Sequence, residues 1–174
     1  MGRTKILQKM LLFLLGLLIF TEGNAMPFQI SSDAFKNGAM IPTKFSCHGS
    51  DVSPVLSWSD APKATKSFVL IMDDPDAPMG VWVHWILFNI PANITKLEEN
   101  ISQLPTGAVI GSNSWHRQSY NGPCPPSGTH RYFFKLYALD SILNLPAGSN
   151  KEAVEKAMHG HVLAIAELMG KYGS

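Results

Sequence analysis

Neither sign of charge is in clear excess in this sequence. Its 174 residues include 14 Lys and Arg residues against 13 Asp and Glu residues, and charged residues make up only 16% of the chain. There is no basic run of the kind that contacts phosphate backbones. The composition therefore argues against a nucleic-acid-binding protein, and against strong attachment to an anionic membrane surface.

Long apolar runs are equally scarce, and the one clear example is at the N-terminus. A basic start leads into the apolar run 10–20, which is followed by Gly23-Asn24-Ala25 with small residues at the −3 and −1 positions of a cleavage site. The run is well short of the ~20 apolar residues that a spanning helix needs. The pattern predicts a signal peptide over 1–25, and hence a periplasmic or secreted protein with no stable membrane span.

The remaining residues, 26–174, have the length of one domain and can bury a substantial core. Within them, 67–72 is apolar and partly β-branched, 81–90 has the character of a strand, and 131–140 alternates clearly between two faces. Such short strands, separated by Pro and Gly turns, predict a mainly β fold. We expect a single antiparallel β-sandwich domain.

The C-terminal part of the sequence has a different period. Apolar residues recur at helical spacing between Val154 and Leu168, and Ser149 followed three residues later by Glu152 fits a capping box. Gly170 suits the end of such a helix. These features predict one amphipathic C-terminal helix packed on the sheet.

The chain has only two cysteines, Cys47 and Cys124, and each lies in a loop rich in Gly, Pro or Ser. In an exported protein such a pair favours a disulfide bond. By the chain-entropy argument, closing so long a loop is worth ~4 kcal/mol or more. The alternative is two free thiols, because the sequence alone does not give their distance.

Motifs for covalent or cofactor chemistry are missing as well. The sequence has no Gly-x-Ser-x-Gly nucleophile turn, no Gly-rich phosphate loop and no dinucleotide fingerprint. It has no His-x-x-x-His spacing typical of a metal site, and the acidic stretch 73–76 does not follow the pattern of a calcium loop. The sequence accordingly predicts no cofactor and no metal site.

Two stretches about forty residues apart share one layout, in which a rigid Pro-rich turn abuts a strand that carries a histidine. The first is Asp73-Asp74-Pro75-Asp76-Ala77-Pro78 with Trp82-Val83-His84-Trp85, and the second is Gly122-Pro123-Cys124-Pro125-Pro126-Ser127-Gly128-Thr129-His130-Arg131-Tyr132. If the two strands lie close together, the turns form a small pocket with two imidazoles, a carboxylate and a phenol. That set of groups favours a small polar ligand, and an anion fits best.

Each of these side chains also has a structural explanation. An aspartate beside a proline caps a turn, and we assign that role to Asp73 as a solvated carboxylate. A lone histidine within a strand, such as His84, is more often structural than functional. The acidic turn upstream favours function for His84, and a rigid turn directly before His130 favours ligand contact. An alternative function is a hydrolase in which Asp74 and the histidines act as general acid and base.

Together the two stretches resemble the signature regions of the phosphatidylethanolamine-binding protein family, which includes the Raf kinase inhibitor proteins. The segment Ser53-Pro54-Val55-Leu56-Ser57-Trp58 is similar to the bacterial branch of that family. The resemblance implies a β-sandwich with a few helices and a shallow anion pocket at one end. The ligand-binding residues that it implies are Asp74, Pro78, Trp82, His84, Gly122, His130 and Tyr132. Asp76 and Arg131 are implied to brace the pocket.

The function that the resemblance implies is recognition without a covalent step. The ligand would be phosphate, acetate or a phosphorylated head group, and Asp74 would orient a histidine because two anions repel. Inhibition or regulation of a partner enzyme, such as a kinase or a protease, is a further expectation. The chain departs from the family in a Cys-Pro-Pro insert in the second turn and in a short C-terminal segment, so the identity of the ligand does not carry over.

Overall fold

A computed structural model of the protein describes residues 26–173. The signal peptide predicted over 1–25 lies outside the described residues. The strands are β1 (Gln29–Ser31), β2 (Leu56–Ser59), β3 (Ser67–Asp74), β4 (Trp82–Pro91), β5 (Lys96–Leu97), β6 (Val109–Ile110), β7 (Thr129–Leu139) and β8 (Val162–Gly173). One α-helix, α1 (Lys151–Met158), and one short 3-10 helix, Thr43–Phe45, complete the described elements.

The strands form two sheets, and every pairing between named strands is antiparallel. The smaller sheet has the order β1-β2-β5, and the larger has the order β6-β4-β3-β7-β8. The predicted antiparallel β-sandwich fold is therefore confirmed.

The main core lies between the two sheets. Strand β7 contributes Tyr132, Phe134, Leu136 and Ala138 to it, all on the face that the alternation predicts. Trp58 of β2 packs edge-on against Phe68 of β3, with ring centroids 5.6 Å apart. This core fixes the register of the strands whose ends form the site described below.

A second, smaller core lies between the larger sheet and α1. Val69 and Ile71 of β3 face α1, because successive side chains of a strand point to opposite faces. The same alternation places Asp73 on this side, where it is 0% exposed. Its carboxylate accepts hydrogen bonds from Lys135 Nζ at 2.9 Å and Lys151 Nζ at 2.6 Å. The expectation of a solvated turn carboxylate was wrong, since two lysines compensate a buried charge.

The predicted C-terminal helix exists but is much shorter than expected. It begins after Asn150, whose side chain accepts a hydrogen bond from the backbone N–H of Ala153, and it ends at Met158. The N-cap is thus Asn150, one residue beyond the predicted Ser149. Gly160 then adopts a φ of +83°, and the chain turns into β8. The apolar residues from Val162 to Leu168 therefore belong to a strand, which pairs with β7 along its length.

The two cysteines form the predicted disulfide, Cys47–Cys124, which links residues 77 positions apart. It joins the loop after the 3-10 helix to the Pro-rich loop that precedes β7. The second of these loops forms one wall of the candidate site, so the bond ties that wall to the rest of the fold. Within residues 26–173, the structure contains no helix long and apolar enough to cross a membrane.

Candidate functional site

A cavity of about 280 Å³ opens at the end of the sandwich where β3 ends and β4 and β7 begin. Its volume lies near the lower limit for small-molecule sites, so it suits a small ligand. The lining residues are Asp74, Ala77, Pro78, Met79, Trp82, His84, Trp115, Cys124, Pro126 and His130. Five of the seven predicted ligand residues are therefore brought together here, and Gly122 and Tyr132 lie behind the surface.

His130 and Asp74 form one side of the site, which we call the His130 arm. His130 Nδ1 lies 2.7 Å from Asp74 Oδ2, and both side chains are buried. Because a carboxylate only accepts, Nδ1–H of His130 is the donor. The other ring nitrogen, Nε2, is thus the one available to a ligand. The carboxylate is itself held by the backbone N–H of Asp76, 2.8 Å from Asp74 Oδ1.

Outside this arm, Asp76 and Arg131 form a two-pronged ion pair. Arg131 Nε donates to Asp76 Oδ2 at 2.9 Å, and a terminal guanidinium nitrogen donates to Oδ1 at 2.6 Å. The hydrogen bond from Arg131 lowers the pKa of Asp76 to about 2. The pair joins the turn after β3 to the start of β7, which is the bracing position predicted for these two residues.

His84 forms the opposite side of the site, through an irregularity in the sheet. Met72 pairs with Trp85 and Asp73 pairs with Val83, so His84 is an extra residue between two regular pairs. Such a β-bulge redirects the side chain of the extra residue. The ring of His84 packs edge-on against Trp115 and Tyr132, with centroids 5.0 Å and 5.2 Å away.

Asn121 holds His84 on both its backbone and its ring. The backbone N–H of Asn121 donates to the carbonyl of His84 at 3.2 Å, and the carbonyl of Asn121 lies 2.7 Å from His84 Nδ1. A carbonyl can only accept, so Nδ1–H of His84 is again the donor. The side chain of Asn121 is fixed in turn by Asn113 Nδ2 at 2.7 Å. We call His84, Asn121 and Gly122 the His84 arm.

Burial lowers the pKa of His84, and this effect outweighs the hydrogen bond from its ring to Asn121 and the charges of Asp74 and Asp51, which raise it. The ring is therefore neutral at pH 7 in the free protein. A neutral ring whose Nδ1–H is already donated presents Nε2 as an acceptor. The two arms thus offer a ligand chemically different groups, since His130 has a carboxylate partner and His84 does not.

Tyr132 lies beneath the histidines and is completely buried. Its hydroxyl forms no hydrogen bond of regular geometry with the described residues, although the carboxylate of Asp74 and the backbone of Cys124 lie close to it. Burial, followed by the charge of Asp74, raises the pKa of Tyr132 far above its usual range, so the phenol remains protonated. The hydroxyl thus belongs to the polar surroundings of Asp74 behind the cavity wall and not to the cavity lining.

The walls of the cavity are apolar and aromatic. Trp82 and Trp115 meet edge-to-face with centroids 5.3 Å apart, and Met79 is 88% exposed at the rim. Trp115 and Met79 were not predicted as site residues, because neither lies in a recognisable motif. The nearest signal in the sequence was the position of Met79 directly after the first Pro-rich turn.

Gly122 lies behind the wall of the cavity, where it packs closely against the backbone of Phe45. A Cβ atom at Gly122 would overlap the carbonyl oxygen of Phe45, so only glycine allows this close approach. Its backbone N–H donates to Asp51 Oδ1 at 2.6 Å. Asp51 was also absent from the predicted site, because it lies far from both motifs in the sequence.

Among the described residues, no group of three His, Cys, Asp or Glu side chains is arranged to hold a metal ion.

Comparison with known families and proteins gives a consistent result. A family model described as phosphatidylethanolamine-binding protein matches residues 31–173. A UPF0098 protein from Methanothermobacter thermautotrophicus is 51% identical over 146 residues, which cover 82% of this chain and 97% of that protein. A UPF0098 protein from Aquifex aeolicus is 45% identical over 159 residues, which cover 88% and 92%. These findings show the family and do not test the bacterial branch, which stays a prediction.

Two solved structures are similar to this fold. One is a homologue of phosphatidylethanolamine-binding protein from Chlamydia trachomatis, with 44% sequence identity and a TM-score of 0.81; the match covers 85% of this chain and 98% of that chain. The other is E. coli YbcL, described as a member of the mammalian family, with 35% identity and a TM-score of 0.81. That match covers 86% of this chain and 99% of the other.

Proposed function

The chain belongs to the phosphatidylethanolamine-binding protein family, and from that premise we propose that its pocket binds a small anion or a phosphorylated head group. The observation that carries the proposal is that both histidine rings are held through the same nitrogen, Nδ1. Each donates Nδ1–H to a fixed protein acceptor, so each keeps Nε2 for a ligand.

The binding chemistry follows from the protonation of the rings. Nε2 of a histidine donates a hydrogen bond only when the ring carries a second proton, because Nδ1–H is already committed. A protonated His130 has its charge balanced by Asp74, whereas Asp74 itself would repel an anion and serves to orient the ring. His84 is neutral at pH 7, so at that pH it accepts a hydrogen bond from a ligand hydroxyl or from an acidic proton of the ligand.

Calorimetric titration with sulfate, phosphate and phosphoethanolamine tests this proposal. Charge-assisted hydrogen bonds contribute ~1.5–3 kcal/mol each, so His130→Ala should weaken sulfate binding by roughly tenfold or more. His159→Ala is the matched control, because His159 is exposed at the end of α1 and away from the pocket. Equal affinity of wild type and His130→Ala, with measurable binding by the wild type, would remove His130 from the site.

A hydrolase is the second candidate, and the buried Asp74–His130 pair is the observation that favours it, since such pairs tune catalytic bases. Against it, the cavity lining contains no Ser, no Thr and no free thiol, because Cys124 is in the disulfide. Release of phosphate from a panel of phosphoesters separates the two functions. Sustained turnover would favour the hydrolase, and saturable binding without turnover would favour recognition.

Export and a regulatory role are further parts of the proposal. The disulfide suits an oxidising compartment, in keeping with a signal peptide over 1–25. N-terminal sequencing of the secreted protein should begin at Met26, and cytosolic protein that retains Met1 would contradict export. For regulation, the exposed side chain of Met79 at the pocket rim is the proposed contact with a partner enzyme. Inhibition of a candidate kinase or protease that sulfate relieves by competition would support that role.

A further inference from the structure

One peptide group connects the two ends of an unusual hydrogen-bond path. The C=O of Asn121 accepts from His84 Nδ1–H at 2.7 Å, and the N–H of Gly122 donates to Asp51 Oδ1 at 2.6 Å. That C=O and that N–H belong to the same peptide bond. The carboxylate of Asp51 is therefore linked to the imidazole of His84 by two short hydrogen bonds through one peptide.

The carboxylate of Asp51 is well suited to act along this path. Within residues 26–173 it forms no ion pair, so no cation neutralises its charge. Its backbone has a φ of +53°, a strained conformation for an aspartate that the surroundings must maintain. The tight packing of Gly122 against Phe45 fixes the peptide at the required distance.

A peptide whose N–H donates to an anion is polarised, and its carbonyl oxygen becomes a stronger acceptor. We propose that Asp51 is a positioning residue that acts on His84 through the Asn121–Gly122 peptide group, holding the ring as its Nδ1–H tautomer and making Nε2 more basic. The inference rests on the proposed function for the role of Nε2 in binding. The link from Asp51 to the ring itself requires no ligand.

Other ionisable groups also surround the ring of His84. Asp74 on β3 acts on it through its charge, and Tyr132 on β7 packs against it. His130, also on β7, lines the same cavity. On the other side, the charge of Asp51 also reaches Tyr120, whose pKa is raised mainly by burial and which donates to the backbone of the 3-10 helix. A test must therefore remove the charge of Asp51 alone and leave these neighbours in place.

Asp51→Asn provides that test, because an amide oxygen can still accept from Gly122 N–H and asparagine tolerates positive φ. Asp60→Asn is the matched control: Asp60 is exposed, has a φ of +59°, and lies outside the site. The first readout is the pH titration of the His84 ring nitrogens by ¹⁵N NMR in the free protein. The second is calorimetric binding of sulfate at pH 6.

We expect the midpoint of the His84 titration to fall in Asp51→Asn and to stay unchanged in Asp60→Asn. Sulfate affinity at pH 6 should weaken roughly threefold to tenfold in Asp51→Asn only, the range expected for one weakened hydrogen bond. Should Asp51→Asn fail to fold, Asp51→Ser also supplies a neutral acceptor, and the same fall is expected.

An unchanged His84 titration in the Asp51 variant would overturn the inference, because a purely structural role is fulfilled equally well by asparagine. An equal fall in Asp60→Asn would overturn it too, since the effect would then be one of overall charge. If the midpoint falls as expected but the wild-type protein binds none of sulfate, phosphate and phosphoethanolamine, the link from Asp51 to His84 is supported and the proposed binding function fails.

Discussion

His130 and His84 face the same cavity and donate the same ring nitrogen to the protein, yet they are held by different parts of the fold. His130 is held by Asp74, and both lie on neighbouring strands of the larger sheet. His84 lies on a bulge and is held by the Asn121–Gly122 peptide in a loop. The first arm depends on the sheet register, and the second depends on loop packing.

The difference also concerns charge. In the His130 arm a carboxylate touches the ring directly, so a second proton on the ring forms an ion pair. In the His84 arm the carboxylate of Asp51 is one peptide away, and burial keeps the ring neutral at pH 7. This difference shows that one pocket can hold two histidines by the same ring nitrogen while a carboxylate touches one ring directly and lies one peptide group away from the other.

Removing the disulfide should give the largest effect, and it should act mainly on the His84 arm. The bond closes a loop of 77 positions, so the double variant Cys47→Ser/Cys124→Ser should lose about 4 kcal/mol of unfolding free energy. Urea denaturation measures this loss. Ring-nitrogen NMR should show the His84 signals broadened while the His130 signals stay sharp, because only the His84 arm includes residues of the tied loop.

Wild-type protein treated with a reducing agent is the control for the serine substitutions. It should match the double variant in both measurements. An unfolding free energy that does not change would contradict the expected role of the bond. Equal broadening of both histidines would mean that the two arms are not mechanically separate.

Removing the charge of Asp74 should have the next largest effect. In Asp74→Asn the charge-assisted bond to His130 becomes a neutral one, which should cost about 1–2 kcal/mol of unfolding free energy. Sulfate affinity should fall roughly tenfold, because the ring of His130 loses the charged carboxylate that orients it. Denaturation and calorimetry measure the two quantities. A smaller loss of affinity than in Asp51→Asn would reverse the proposed ranking of the two arms.

The His130 arm was largely predictable from sequence, and the His84 arm was not. Asp74 lies at the end of β3 and His130 at the start of β7, each beside a Pro-rich turn. Both features can be recognised from neighbouring residues in the sequence. The bulge at His84 depends on the register between β3 and β4, which no local pattern encodes. Asp51 contacts Gly122 across 71 positions, and nothing near Asp51 marks it as part of a site.

The two errors in the fold have similar physical causes. The stretch 162–168 is apolar at every position except Glu167, so it fits a helical period and an alternating one equally well. The stretch forms a strand because it pairs with β7 along its whole length. Asp73 was assigned to a polar turn, but the alternation of β3 continues through it. Lys135 and Lys151, which compensate its buried charge, are distant in sequence and could not be recognised as its partners.

The smallest expected effect is the pH dependence that His84 gives to stability and to sulfate binding. Burial lowers the pKa of His84 below its usual value of 6.5, so at pH below 6.5 the unfolded chain binds a proton there more readily than the folded protein does. This group therefore contributes its full stability above pH 6.5. The contribution falls as the pH drops from 6.5 toward the lower pKa of the folded state.

Ligand binding should respond in the opposite direction, which makes the pH dependence a sharp test. A bound anion favours the protonated ring, so sulfate affinity should rise as the pH falls from 7 to 5.5, by at most about tenfold per pH unit for one linked proton. Sulfate keeps its charge over this range, so the change reports on the protein. Calorimetry of wild type and His84→Gln measures it, and the slope that remains in His84→Gln belongs to the other histidine of the pocket. A wild-type slope that survives undiminished in His84→Gln would assign the linked proton to His130 and contradict the protonation of His84 on anion binding.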